Sequence, residues 1–257
     1  MVRNIFSIAK YTFYENLRKK NFIILFLYIA VVLGSGTLFS MLSPAQEIRV
    51  IMDLGTAAIE MFAFLSCAFI SVRIVLQEMN DKTVYLILSR PVTRANYLLG
   101  RFSGILSIMF TYILIMIASL TIMLLSKGWL WDTLIIGIGL SIFLKIIIVA
   151  SFSILLSLVS TSPASSFVSI FFLWALGHFT TELKYLSSQL KHNGFNFSFL
   201  LQLFYYILPN FSKMNYKDFF HIKDVFSVDM LCAGLYAVGY TIAVLLLCTI
   251  IFNRKEL

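Results

Sequence analysis

The sequence predicts an all-α membrane protein with six transmembrane helices, an amphipathic interfacial helix at the N-terminus and a long helical segment on the cytoplasmic side. Three observations carry that prediction. Of the 257 residues, 60% are hydrophobic and only 12% charged, and the mean hydropathy is +0.92. A soluble domain carries roughly 25% charged residues, so a water-soluble enzyme is excluded, as is a disordered chain, which needs low hydrophobicity. The apolar residues form continuous runs of helix length, not the short alternating segments of a barrel. Basic residues collect at the ends of those runs.

About 20 apolar residues at a rise of 1.5 Å each cross the hydrocarbon core. On that measure the spans are 22–41, 56–76, 102–125, 133–160, the shorter 165–181, and 228–252. A seventh apolar stretch, 195–211, holds Asn196, Ser198, Gln202, Pro209 and Asn210, which suit a re-entrant segment within an outer loop at 182–227. Six spans with both termini inside put Arg3, Lys10, Arg18, Lys19, Lys20, Lys82, Arg90, Arg94, Arg101, Arg254 and Lys255 on the cytoplasmic side. That leaves Arg49, Lys127, Lys184, Lys191, Lys213, Lys217 and Lys223 outside, five of them in one long loop, where the bias counts for less. The net charge of +8 is thereby explained by orientation and anionic lipid, with no nucleic-acid partner.

Taken in chain order, residues 2–21 read as a helix lying on the membrane surface. Ile5, Phe6, Ala9, Phe13 and Leu17 form its apolar face and five basic residues its polar one. That charge is too spread out for the compact leader of a signal peptide, so no cleavage is expected. An outer loop over 43–55 follows. The second span carries Glu60, expected near the outer surface, and Arg73, placed to snorkel to the inner headgroups.

The segment 77–101 carries the most information. Asp81 can cap a short helix whose apolar face is Tyr85, Leu86 and Leu88; Pro91 ends that helix, and Thr93 caps the next. Helix–helix connections usually run about 2–8 residues, so a charged, partly apolar segment of this length reads as a docking element for a cytosolic partner. The third span opens with Gly100 and Gly104, a spacing that permits close helix contact. After a turn at 126–132, where Trp129 and Trp131 anchor the outer headgroup level, the fourth span holds Lys145 near its middle. Such a cation pairs with a carboxylate, lines a polar cavity or snorkels.

Serines from Ser151 to Ser169 flank an inner turn at Pro163 and read as helix packing. His178 and Glu182 stand four apart, read as a local hydrogen bond, with no further ligand at metal spacing. Cys67, Cys232 and Cys248 all fall within spans, so no disulfide framework is expected. No G-x-x-x-x-G-K-[ST] phosphate loop and no hydrolase signature occurs, so no catalytic residue, metal or cofactor is assigned to this chain.

The run Glu78, Thr83, Leu86, Leu88, Ser89-Arg90-Pro91, Arg94, Tyr97 and Gly100-Arg101 resembles the segment after the second span in type-two ABC export permeases. The six-span layout, N-terminal amphipathic helix and basic tail are similar too. Within that family the chain resembles the small permeases of the nitrous-oxide-reductase-maturation and gliding-motility types. The resemblance implies a single permease domain over 1–257, with 77–101 as a coupling helix seated in a separate ATPase subunit that holds ATP and Mg. It implies ATPase contacts at Glu78, Asp81, Lys82, Thr83, Leu86 and Arg90. It further implies two ATPase copies, a second permease chain (identical or paralogous), an extracytoplasmic accessory protein and a bacterial inner membrane. The alternatives are an ion-coupled secondary transporter, with Lys145, Glu60 and Asp229 as its polar path, and a non-transporting membrane scaffold. No internal inverted repeat supports the former.

Overall fold

The computed structural model describes residues 2–18, 23–42, 47–80, 93–129, 132, 134–192, 205, 207–215 and 228–254. Among these the regular structure is helical throughout, without a strand. Helix α1 covers Val2–Arg18, α2 Ile23–Leu42 and α3 Glu47–Val72. α3 runs on through a widened π turn, Arg73–Gln77, to a last turn at Glu78–Asn80. α4 covers Arg94–Ser126, α5 Leu134–Val159, α6 Pro163–His178, α7 Thr180–His192 and α8 Val228–Arg254; a 3-10 turn spans Phe211–Met214.

Local chemistry sets several of these boundaries. The Thr93 hydroxyl accepts from the Asn96 N–H at the start of α4, satisfying one of the donors a helix N-terminus leaves over. Ser162 does the same for Ser165, with Pro163 in the first turn where its missing N–H costs nothing. Gly128, at a φ of 82°, makes the reversal after α4 that a side chain would strain.

α5 is the central helix and packs against α3, α4, α6 and α8, while α2 covers α3 and α4. The core between them is apolar: Ile59, Phe64, Ile105, Met109, Ile146 and Ile154 are all buried. Tyr28 brings one polar atom into it and donates to the Met116 carbonyl at 3.3 Å, fastening α2 to α4. The outward faces are apolar as well, with Phe26, Ile122, Phe172, Leu235 and Leu246 all more than half exposed. Such a surface is at home in hydrocarbon rather than in water.

By length and composition, four described helices can cross a bilayer: Ile48–Gln77, Arg94–Ser126, Leu134–Val159 and Met230–Arg254. A fifth is counted if α6 and α7, bent by 60° at Phe179, act as one broken span. The remaining expected span, 22–41, falls on α2, a helix of 20 residues over Ile23–Leu42.

Three expected boundaries move. The outer loop over 43–55 is helical from Glu47, because Ile48, Ile51, Met52 and Ile59 recur at helical spacing and turn inward, while Arg49 and Asp53 are exposed. At the other end, α3 continues to Asn80 and α4 begins at Arg94, well before 102. Within the 77–101 segment the flanks are thus helical, the second capped by Thr93 as expected, and the connector 81–92 between them lies outside the described residues. Finally, α7 is helical where a loop from 182 was expected. The re-entrant stretch 195–211 lies largely outside the described residues, as does Trp131.

Candidate functional site: a polar junction where α3 ends and α4 begins

The two ends of the 81–92 connector are tied together by side chains. Glu78, on the last turn of α3, and Arg101, two turns into α4, form an ion pair between Glu78 Oε1 and Arg101 Nη2. The Tyr97 hydroxyl donates to the other carboxylate oxygen, Glu78 Oε2, at 2.5 Å. Arg101 is only 1% exposed, and its fork reaches a second helix as well: Nη1 donates to Thr12 Oγ1 of α1 at 2.8 Å and lies 3.6 Å from Glu15 Oε2. Thr12 in turn donates to the Ile8 carbonyl at 2.9 Å. The guanidinium stands over the Tyr11 and Tyr97 rings, each centroid 5.6 Å away, an arrangement that suits a desolvated cation. Burial raises the Glu78 carboxyl above its ordinary value, against the opposing pull of Arg101 and the Tyr97 hydroxyl.

Sequence and backbone explain why these groups meet. The π turn at Arg73–Gln77 adds a residue to the helical repeat, which rotates the succeeding turn by about 100° relative to an unbroken helix. Glu78 comes directly after it. On α4, Gly100 and Gly104 let α1 lie against the helix backbone: a Cβ on Gly104 would sit 2.6 Å from Thr12 Cβ and 3.1 Å from the Ala9 carbonyl oxygen. A Cβ on Gly100 would sit 2.7 Å from Ile8 Cβ. One turn before Tyr97, Arg94 Nη1 donates to the Phe252 carbonyl at 2.6 Å, and its guanidinium covers the Phe252 ring. A cation at the last carbonyls of α8 also complements that helix's dipole. The first two turns of α4 thus join α1, the end of α3 and the end of α8.

Of the residues expected at an ATPase contact, Glu78 is turned inward to this junction and is 16% exposed. Asp81, Lys82, Thr83, Leu86 and Arg90 lie outside the described residues. Thr12 and Glu15 do not stand out in the sequence: Thr12 is fully buried on the face of α1 that packs on α4, where a lone hydroxyl gives no signal of its partner.

A second ionised group lies deeper in the bundle. Lys145 of α5 donates through Nζ to Glu60 Oε1 of α3 at 2.7 Å. Their side chains are 5% and 12% exposed, so Glu60 is turned into the bundle toward α5. His178 Nε2 of α6 lies 2.8 Å from the same oxygen. It does not pair with Glu182, because the bend at Phe179 separates the two. Asp229, expected on a polar path with Glu60 and Lys145, sits in the first turn of α8, and its side chain is outside what the structure describes. Among the described residues, no group of three or more His, Cys, Asp or Glu is placed to hold a metal ion.

An apolar-surfaced helical bundle, with buried ionic pairs in its interior and at one end, defines an integral membrane protein of the polytopic helical class. Residues 6–257 match the family described as ABC-2 family transporter protein, and the chain belongs to that family. It is a transmembrane permease of the ABC transporter type. No curated protein matches the sequence significantly.

Proposed function

We propose that this chain is the permease half of an ATP-driven exporter, coupled to a separate ATPase subunit through the 77–101 segment. The observation that carries the proposal is the Glu78–Arg101–Tyr97 junction. It binds the two roots of the 81–92 connector to each other and to α1, α4 and α8, so a force applied to the connector reaches whole helices instead of dissipating in a slack loop. Asp81, Lys82, Thr83, Leu86 and Arg90 supply the ATPase contacts, and Glu78 anchors them from within. ATP and Mg belong to the partner subunit, and this chain takes no covalent part in hydrolysis.

In this reading the chain makes six spans, with α2 and the bent α6–α7 pair among them, and α1 lies on the inner leaflet of a bacterial cytoplasmic membrane. Both termini are cytoplasmic. Two permease chains, identical or paralogous, enclose the path and two ATPase copies serve them, with an extracytoplasmic accessory protein as a further partner. Drawing the docking segments together on ATP binding tilts the bundles between two access states. The motif run from Glu78 to Arg101 also supports kinship with the nitrous-oxide-reductase-maturation and gliding-motility permeases. A path between apolar helices suits lipids, lipid-linked glycans or hydrophobic peptides.

The test is affinity purification of the tagged chain from its native membranes in mild detergent, with mass spectrometry of the co-eluting proteins. A stoichiometric ATPase bearing the phosphate-loop motif is expected, and Leu86→Asp should abolish stimulation of its activity while leaving membrane insertion intact. A chain that purifies alone, folded and without any ATPase would overturn the reading in favour of an ion-coupled transporter or scaffold.

A further inference from the structure

The group formed by Glu60, Lys145 and His178 takes no part in the Glu78–Arg101 junction, and its geometry points to a separate role. Each residue comes from a different helix, and both nitrogens converge on one atom, Glu60 Oε1. His178 is also held from its other side: Nδ1 lies 3.0 Å from the Trp174 carbonyl one turn back in α6. Its ring is packed between Trp174 and Phe211, with centroids 4.6 Å and 5.3 Å away. Both ring nitrogens of His178 are thus engaged, one within its own helix and the other on α3.

His178 is the last residue of α6, and directly after it the chain bends by 60° into α7. No proline lies at that bend to impose it. The angle is held by a set of contacts on either side. Inside the bundle, Glu60 takes His178. On the opposite side the 3-10 turn takes the same corner: Phe211 lies so close to Gly177 that a Cβ there would sit 2.5 Å from its ring, and Thr181 Oγ1 donates to Ser212 Oγ at 2.9 Å. The other charged side chains near the corner are directed elsewhere. Glu182 is exposed beyond the bend, and Lys213 stands 5.0 Å over the Tyr236 ring.

We infer that the Glu60–His178 contact is a releasable latch that holds the α6–α7 corner, and with it α7, against the end of the bundle opposite α1. Lys145 is its positioning residue. A latch of this construction opens without stranding a buried charge, because Glu60 keeps Lys145 when His178 leaves, and His178 departs from the most exposed position of the three, at 32%. Once it is released, α7 turns about Phe179 while α3 and α5 stay joined. The latch is a matter of this geometry alone and holds whether or not transport is ATP-driven.

The experiment uses the full chain in lipid nanodiscs, with Cys67, Cys232 and Cys248 replaced by Ser and spin labels placed at two exposed positions, Met61 of α3 and Tyr185 of α7. A control pair joins Met61 to Ile136 of α5, also exposed. His178→Phe keeps an aromatic ring between Trp174 and Phe211 but deletes both polar contacts. The latch predicts that His178→Phe moves the 61–185 distance by at least about 3 Å or adds a second population, and leaves 61–136 unchanged. That shift is what a swing of about 20° gives about 9 Å along α7. If His178→Phe fails to fold, Glu60→Leu with Lys145→Met, which removes the acceptor of His178 together with the lysine charge, carries the same comparison. Unchanged 61–185 distances in a folded variant overturn the latch, and so does an equal shift in both label pairs, which would mark general loosening.

Discussion

Glu78 and Arg101 are 23 residues apart in the sequence and in contact in the fold, closing a clasp across the two ends of the 81–92 connector. The clasp reaches α1 through Thr12 and the end of α8 through neighbouring Arg94, so four elements share one small polar cluster. Arg101 suits the central place because its planar fork can serve Glu78 and Thr12 at once, which an ammonium cannot do with the same geometry.

Removing that fork should be costly. Arg101→Ala takes away the buried cation that Glu78 faces, and breaking a pair of this kind typically costs about 3–5 kcal/mol. The expected result is a sharply lowered melting temperature in detergent, with Arg101→Lys intermediate because it keeps the charge and loses the fork. Equal melting of the alanine variant and the wild type would count against a central role for the clasp.

The seating of α1 depends on two missing side chains. Gly104→Val would drive methyl groups into Thr12 and the Ala9 carbonyl, which lie within 2.6–3.1 Å of the first added carbon. Overpacking of this kind typically costs about 1–3 kcal/mol. Backbone amides of α1 should then exchange with deuterium faster, while those of α5 keep their wild-type rates. Unaltered protection of α1 would mean that the glycines are not what admits it.

Lys145 and Glu60 should behave as a pair. Lys145→Met alone leaves the Glu60 carboxylate buried without its lysine and should destabilise by about 3–5 kcal/mol, whereas adding Glu60→Gln should recover most of that loss. A double-mutant cycle read by thermal melting measures the coupling. Additive single effects would show that the 2.7 Å contact contributes little.

The turn between α5 and α6 rests on a cap. Ser162→Ala deletes the acceptor for the Ser165 N–H and should cost about 1 kcal/mol, with Ser162→Asp close to neutral. Faster exchange confined to the first turn of α6 is the expected signature; identical exchange in both variants would dismiss the cap.

Much of this architecture is legible in the sequence, for reasons that differ between elements. The α5 helix, expected over 133–160 and observed over Leu134–Val159, is announced by a long apolar run, interrupted by one charge at Lys145, that ends at a Ser-Pro turn. The cap at Thr93 is signalled by the proline two residues earlier and the helical pattern after it. The start of α3 is hidden because its first three turns are amphipathic, and Arg49 and Asp53 interrupt the apolar run that marks a span. The length of α4 is hidden because Arg94 and Arg101 look like the end of a polar segment, whereas the tertiary structure pairs both of them and lets the helix pass straight through.

Composition and short-range period suffice for the helical membrane class, the approximate spans, the caps and turns, and the residue types in the motif run after the second span. Both are carried by neighbours in the chain. Only tertiary packing decides that Lys145 pairs with Glu60 across 85 residues, that His178 turns to Glu60 rather than to Glu182, and that Glu78 faces inward to Arg101. Those choices depend on the rotation and register of packed helices. A buried charge pairs with the opposite charge that packing brings within reach, wherever that residue stands in the sequence.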